Sequence, residues 1–257
     1  VRVLAVWKQL DSEWAAERTA MTFCLDGLDT AFKGDIERRK RGLADLFTAW
    51  QSTFAALTAV QIKVFLRSDL WQSLSFPEKS HFRGKELKLT WDRHDLWRMV
   101  TKRALSSPGF SEWCERALPL PVPRGDAIET AGERDLHPVL DRLFEHHIWA
   151  GKNSLSRNWV LRRLEDAREA VYPRDLICLL QDAIPYERER LREGQRVAED
   201  AVRSRQSLSG ALDPTSRQRV EAVREEFPEL VDTLERLRGL NAFGPIDKLK
   251  ERGVAPG

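Results

Sequence analysis

The chain of 257 residues is long enough for one large domain or two modest ones. Its 42 Lys and Arg residues against 40 Asp and Glu residues give a formal net charge of +2. This balance produces no global field that would select nucleic acid or an anionic membrane, so either partner would need a local patch. Three separated cysteines, no apolar run of membrane-spanning length and no signal peptide predict a reducing compartment, by default the cytoplasm.

The first part of the chain predicts an α/β arrangement. Residues 1–18 have helical spacing of apolar residues, "MTFCL" at 21–25 predicts a strand, and 38–60 carry one apolar helical face. "QIKVFLR" at 61–67 predicts a second strand, and "ELKLTW" at 86–91 a weaker third one. Strand, helix and strand in this order form a βαβ unit with parallel strands. The sequence therefore predicts a three-stranded part of a parallel sheet.

The remainder of the chain predicts helices only. Asp92 is the expected N-cap of a helix through about Ala104, and a proline-rich link follows at 118–126. We expect Pro185 to break or kink the helical stretch that contains it. The further predicted helices are 137–150, 157–171, 174–184, 186–208, 215–226 and 228–239. The predicted domains are an α/β portion at 1–108, a helical portion at 109–185 and a charged helical extension at 186–257.

Polar residues follow the first two predicted strands at the point where each strand ends. Asp26 and Asp29 come after the first strand, and Arg67 closes the second. Open parallel sheets bind ligands beyond the carboxyl ends of their strands. A nucleoside triphosphate with Mg²⁺ needs a metal-holding carboxylate, an acid that positions the attacking water, and a cation for the γ-phosphate. Asp26, Asp29 and Arg67 fit these three roles; alternatively, the two aspartates cap an acidic turn.

These motifs resemble a known family. "FCLDGLDTAF" resembles the Walker B strand of STAND-class P-loop ATPases, AAA+-related proteins of the NACHT and KAP style, and "VFLRSDLW" resembles their sensor-1 strand. Residues 76–105 are similar to the segment that closes the α/β core, and 143–151 with 158–184 to the helical lid with its Pro-Arg-Asp motif. The likeness covers roughly 19–185. It implies a P-loop NTPase domain at 1–108 and a lid at 109–185, with ATP and Mg²⁺ as ligands.

The resemblance also implies roles for single residues. Asp26 would hold the metal, Asp29 would be the catalytic acid, and Arg67 would face the γ-phosphate. Arg174 of the Pro-Arg-Asp motif would bind phosphate, and a helix N-terminus with an arginine is by itself suited to that task. Alternatively, Asp175 neutralises Arg174 locally.

The sequence departs from the family in two places. Thr30 stands where NACHT proteins often carry another acid, and no G-x-x-x-x-G-K-[ST] phosphate loop occurs. "AGKNS" at 150–154 lacks the upstream glycine and the preceding strand. With no initiator methionine before Val1, we expect the phosphate loop upstream of it.

Three functions remain open at this stage. The first is an ATP-hydrolysing switch of bacterial regulation or antiphage defence, coupled to self-association or to another domain or protein. The second is a nucleotide-inactive scaffold whose charged helices at 185–239 bind a protein. The third is a DNA-binding switch acting through the C-terminal helices. The basic cluster "ERRKRG" at 37–42 is expected to be a solvated helix start; alternatively, it contacts nucleic acid or a neighbouring subunit.

Overall fold

The computed structural model describes residues 2–31, 35–119, 121–148, 155–166, 169–195, 200–239, 251 and 253. The chain divides into two compact units. Unit 1 comprises Val1–Lys88 and Val223–Gly257, and unit 2 comprises Leu89–Ala222. The predicted boundaries after residues 108 and 185 stay predictions. No described helix has an apolar stretch long enough to cross a bilayer.

The chain is mixed α/β and mostly helical. Unit 1 contains α1 (Arg2–Ala16), β1 (Met21–Leu25), α2 (Ile36–Thr53), β2 (Val60–Val64) and α3 (Ser68–Ser73). Unit 2 contains α4 (Arg93–Leu105), α5 (Pro108–Ala117), α6 (Asp126–Thr130), α7 (Glu133–Leu143), α8 (Ser156–Leu164) and α9 (Pro173–Arg192). The next helix, α10 (Arg205–Glu226), has its last residues in unit 1, which also contains α11 (Val231–Leu237).

The two strands form the parallel pair that the βαβ order predicts. Their register runs from Met21 opposite Val60 to Leu25 opposite Val64. The start of β2 is fixed by Asp11 of α1, whose Oδ1 accepts the backbone N–H groups of Thr58, Ala59 and Val60 at 2.7–2.9 Å. These bonds satisfy backbone N–H groups that would otherwise have no acceptor at the start of the strand.

The prediction of a third strand at 86–91 is wrong. No described residue pairs with this segment, and the sheet of the described residues has two strands. Leu87 is 85% exposed and Leu89 is 72% exposed, so the alternating apolar residues that suggested a strand contact no core. A period of two gives a strand only where a neighbouring backbone completes the ladder, and the sequence pattern does not specify that neighbour.

An aromatic cluster forms the core of unit 1. Phe47 of α2 lies 5.0 Å from Trp71, 5.4 Å from Phe76 and 5.3 Å from Phe82 between ring centroids. Phe47 and Phe82 are buried together with Leu43 and Leu74. Edge-on and offset aromatic pairs add stability beyond the area they bury. The cluster thus fixes α2 within unit 1.

Unit 2 has a separate helical core. Its central residues include Trp97 of α4, Leu140 of α7, Val160 of α8 and Leu176 of α9. The predicted N-cap is confirmed, because the Asp92 carboxylate accepts the N–H of Asp95 at 2.7 Å in a capping box.

Two prolines lie inside helices. Of the predicted break or kink at Pro185, the break is wrong, because α9 continues through this residue to Arg192. In the same way α10 continues through Pro214. Ala183 and Glu187 on either side of Pro185 are buried, and tertiary packing of this kind offsets the loss of one helical hydrogen bond.

Candidate functional site

Asp26 follows directly on β1 and opens a tight turn. Its Oδ1 accepts the N–H of Gly27 at 2.7 Å, and the side chain is exposed. Gly27 has a φ of 68°, which suits glycine, and Thr30 closes the turn by donating from its hydroxyl to the Gly27 carbonyl at 2.7 Å. The turn therefore holds one carboxylate oxygen of Asp26 and keeps the group at the end of the strand.

The backbone of Asp29 lies in the 3-10 turn Leu28–Thr30. Its side chain lies outside the described part of the structure. Its role as the water-positioning acid stays a prediction.

Arg67 lies shortly after the end of β2 and precedes α3. The pairing of the strands extends one step past their ends, because the N–H of Phe65 donates to the Leu25 carbonyl at 2.8 Å. Asp26 and Arg67 therefore follow neighbouring parallel strands at the same, carboxyl edge of the sheet. This is the edge at which open α/β sheets bind ligands.

The guanidinium of Arg67 has internal contacts. Its Nε and Nη2 donate to the two carboxylate oxygens of Asp69 at 3.1 and 2.8 Å, and it lies 5.6 Å from the ring centre of Phe227. Partial burial raises the pKa of Asp69, but the hydrogen bonds and charge of Arg67 outweigh it, so that pKa is lowered. Asp69 is therefore charged at neutral pH and competes with any anionic ligand for Arg67.

The described residues of this edge fit a magnesium ion held mainly through water. Mg²⁺ usually takes one or two carboxylates together with water and substrate phosphates. Asp26 supplies one exposed carboxylate of this kind. No group of three or more His, Cys, Asp or Glu residues is arranged to hold a metal among the described side chains. This donor set suits a metal that arrives with a polyphosphate.

Arg174 lies at the start of α9 in unit 2, where Pro173 takes the first helical position. The neighbouring Asp175 pairs with Arg219 of α10 at 3.3 Å. Arg174 is exposed and forms no hydrogen bond or ion pair with a described residue. Local neutralisation by Asp175 is therefore not the arrangement observed. Because Asp26 and Arg67 belong to unit 1, a shared ligand for all three residues stays a prediction.

Polar contacts hold α9 and α10 together within unit 2. Besides the pair of Asp175 with Arg219, the hydroxyl of Thr215 donates to Asp182 at 2.8 Å. Near the other end of α9, Glu187 accepts the N–H and the hydroxyl of Ser204, each at 2.7 Å. The helix that begins at Pro173 is thus fixed to α10 at several points along its length.

The sequence pattern did not reveal two residues that contact Arg67, and it wrongly indicated that Arg39 is exposed to solvent. It did not assign Asp69 or Phe227 as contacts of Arg67. It also took Arg39 as part of a solvated basic cluster, whereas Arg39 is buried. A signal was available for Arg39, because it stands four residues before Leu43 and eight before Phe47, on the apolar face of α2. No comparable signal pointed to Phe227, which is distant in sequence.

Comparison of the chain with protein-family models, with curated proteins and with solved structures gave no match in any of the three.

Proposed function

We propose that this chain is the Walker B, sensor and lid part of a STAND-like ATPase, which binds Mg²⁺ and ATP and hydrolyses ATP as a conformational switch. One observation carries the proposal: β1 and β2 are parallel neighbours, and Asp26 and Arg67 follow them at the same edge. An acid and a guanidinium at one carboxyl edge provide opposite charges for a metal-bound polyphosphate.

Each candidate residue has a distinct task in this proposal. Asp26 would hold a magnesium ion, which when bound would supply positive charge to the polyphosphate. Asp29 orients the attacking water and accepts its proton. The water oxygen bonds to the γ-phosphorus while the bond from that phosphorus to the bridging oxygen breaks, and ADP leaves with that electron pair. Arg67 stabilises the charge on the γ-phosphate, and Arg174 binds phosphate from the helical part.

The pair of Arg67 with Asp69 supports a switching role. A γ-phosphate would have to replace Asp69 as the partner of the guanidinium, and ADP would leave the original pair in place. Such an exchange of partners is a two-state element whose balance depends on the γ-phosphate. In bacterial regulation or antiphage defence, this switch would act on self-association or on another domain.

A second candidate function is a nucleotide-inactive scaffold. The observation that favours it is the same bidentate pair, since Asp69 already satisfies Arg67 internally. In that case the charged helices α9 and α10 would bind a protein partner. Nucleotide binding separates the two candidates.

ATP hydrolysis by the full-length protein, measured with and without Mg²⁺, tests the proposal. We expect Asp26→Ala and Arg67→Ala to lower turnover at least about 100-fold, the order of effect seen when a charged transition-state contact is removed. Asp45→Ala and Arg83→Ala are matched controls, because both side chains are exposed and lie outside this edge. Turnover at the wild-type level in both site variants would overturn the assignment of this edge as the active site. A wild-type protein that neither binds nor hydrolyses ATP would favour the scaffold.

A further inference from the structure

Arg39 is a buried arginine in the first turns of α2. It is only 6% exposed and shares the inward face of the helix with Leu43 and Phe47. Arginine is almost never fully buried unless its charge is paired, because removing an ion from water costs several kcal/mol. This position therefore calls for a partner.

The described residues supply only part of that partner. The Nε of Arg39 donates to the backbone carbonyl of Ala31 at 3.1 Å, and this is its one hydrogen bond to a described residue. No described carboxylate forms an ion pair with it. A guanidinium has five N–H donors, so four of them have no described protein partner. A neutral carbonyl oxygen also leaves the positive charge uncompensated.

The position of Arg39 connects it with the edge that carries Asp26. The chain leaves β1 at Leu25, makes the turn at Asp26–Thr30 and enters α2 at Ile36, so α2 begins at the carboxyl edge of the sheet. Ala31, which accepts from Arg39, follows directly on that turn. The N-terminus of α2 also bears the positive end of the helix dipole. The helix end is already met by the Asp35 carboxylate, which accepts the N–H of Arg38 at 2.8 Å, and by Glu37 in the first turn. Arg39 is therefore the group that favours a further negative charge at this place.

We propose that Arg39 binds a phosphoryl group of the ligand at this edge, as a second arginine besides Arg67. The assignment of that ligand as a nucleoside triphosphate rests on the proposed function. The bond from Nε to Ala31 holds the guanidinium plane, so that its terminal nitrogens can donate in parallel to two phosphate oxygens. A polyphosphate then supplies the counter-charge that the described protein residues do not.

Calorimetric binding of inorganic tripolyphosphate and of Mg²⁺-ATP to the full-length protein tests this role. We expect Arg39→Gln to weaken both ligands about 10- to 100-fold, the range for losing charge-assisted hydrogen bonds. Arg39→Lys keeps a charge without the bidentate geometry, so its affinity for each ligand should lie between that of the wild type and that of Arg39→Gln. Arg41→Gln is the matched control, because Arg41 lies on the same helix and is exposed. Circular dichroism checks the fold of each variant.

The outcomes separate this inference from the proposed function. If ATP binding depends on Asp26 but Arg39→Gln binds like the wild type, the inference is overturned and the proposed function stands. If tripolyphosphate binding depends on Arg39 while ATP is neither preferred nor hydrolysed, the inference stands and the ATPase function fails. Binding of neither ligand overturns both. If Arg39→Gln does not fold, Arg39→Lys decides: weakened binding supports the inference, and unchanged binding overturns it.

Ligand-free stability gives an independent readout. A guanidinium that serves only the fold would make Arg39→Gln less stable without changing affinity. A guanidinium that awaits an anion leaves the ligand-free variant at least as stable as the wild type, because an uncompensated buried charge has been removed. Tripolyphosphate should then raise the melting temperature of the wild type more than that of Arg39→Gln.

Discussion

The carboxylate of Glu187 joins α9, the helix that begins with the Pro-Arg-Asp motif, to the start of α10. Glu187 is 3% exposed, and it accepts the N–H and the hydroxyl of Ser204 at 2.7 Å each. The Ser204 hydroxyl in turn accepts the N–H of Ser207 at 3.2 Å, so Ser204 caps the helix. We predict that Glu187→Gln destabilises unit 2 by removing the charge from this contact.

The expected loss follows from the two short bonds. Both bonds end on the same carboxylate oxygen, Oε2, so a glutamine whose amide oxygen takes this place keeps both contacts but loses the charge. A hydrogen bond to a charged group contributes about 1.5–3 kcal/mol and a neutral one about 0.5–1.5 kcal/mol, so each bond weakens by about 1–1.5 kcal/mol. We therefore expect Glu187→Gln to lower the free energy of unfolding by about 2–3 kcal/mol. This corresponds to a drop in melting temperature of about 4–12 °C for a protein of this size.

Urea unfolding followed by circular dichroism measures this loss at about pH 7. Glu189→Gln is the matched control on the same helix, because its carboxylate is exposed and, among the described residues, pairs only with Arg192 at 3.2 Å. The control should change stability by less than about 0.5 kcal/mol. A Glu187→Gln variant that unfolds at the same urea concentration as the control would show that the charge of Glu187 does not stabilise this contact.

The same contact predicts a pH dependence. Burial raises the pKa of Glu187, but the hydrogen bonds from Ser204 and Ser207 and the charge of Arg190 outweigh it, so the pKa lies below its ordinary value of 4.5. A lowered pKa means that the charged group stabilises the fold above pH 4.5, and that this stabilisation is lost as the pH falls through the folded-state value. The difference in the free energy of unfolding between the wild type and Glu187→Gln should therefore become smaller as the pH is lowered below 4.5.

Three further predictions concern the fold. Phe47→Ala should destabilise unit 1 by about 3–5 kcal/mol in urea unfolding, because Phe47 is the shared contact of the aromatic cluster. Asp11→Ala should speed hydrogen exchange of the backbone amides at 58–60, because they lose their acceptor. In the wild type, the pKa of Asp11 is lowered from 3.8, so the Asp11 carboxylate protects these amides above pH 3.8 and loses this effect as the pH falls below it. In a protein that already carries Tyr186→Ala, Gly210→Ala should raise the free energy of unfolding by about 1 kcal/mol, because alanine has the higher helix propensity. In the wild type the same change should give no such gain, because the new methyl group would lie 2.9 Å from the Tyr186 ring.

Each of these has its own control. Thr48→Ala, at an exposed position of α2, should change the free energy of unfolding by less than about 0.5 kcal/mol. A loss below about 1 kcal/mol for Phe47→Ala would contradict the stabilising role of the aromatic cluster. Exchange in the middle of α2 should be unchanged by Asp11→Ala; equal acceleration there would indicate global opening. For Gly210→Ala, the same change in stability in both backgrounds would contradict the close contact.

Local signals in the sequence were sufficient for the strands at the candidate site. The strand β1 ends at Leu25 as its apolar run predicts, and its parallel pairing with β2 follows from the intervening helix. Turn chemistry at Gly27 and the cap at Asp92 are likewise local. These features rest on residues close together in the chain, which is why their pattern could be interpreted without coordinates.

The features that sequence reasoning missed depend on contacts between distant residues. Residues 86–91 have the alternation of a strand, but pairing requires a neighbour that the pattern does not reveal. Pro185 has the residue type of a helix end, but packing around Ala183 and Glu187 keeps the helix intact. Arg39 has the appearance of a surface charge in its basic cluster, and only the inward face of α2 shows its burial. The contact of Arg67 with Phe227 likewise joins residues that are distant in the sequence.

A comparison of ATP with ADP binding shows whether Asp26 and Arg67 act on one ligand. Equilibrium titrations of the full-length protein, with and without Mg²⁺, would include Asp26→Ala, Arg67→Ala and the double variant. We expect Asp26→Ala to lose the Mg²⁺ dependence of ATP binding and Arg67→Ala to lose the preference for ATP over ADP. We expect the two effects to be coupled by at least about 0.5 kcal/mol. Retention of both properties in the variants, or strict additivity of two small losses, would show that the two residues do not act on one ligand.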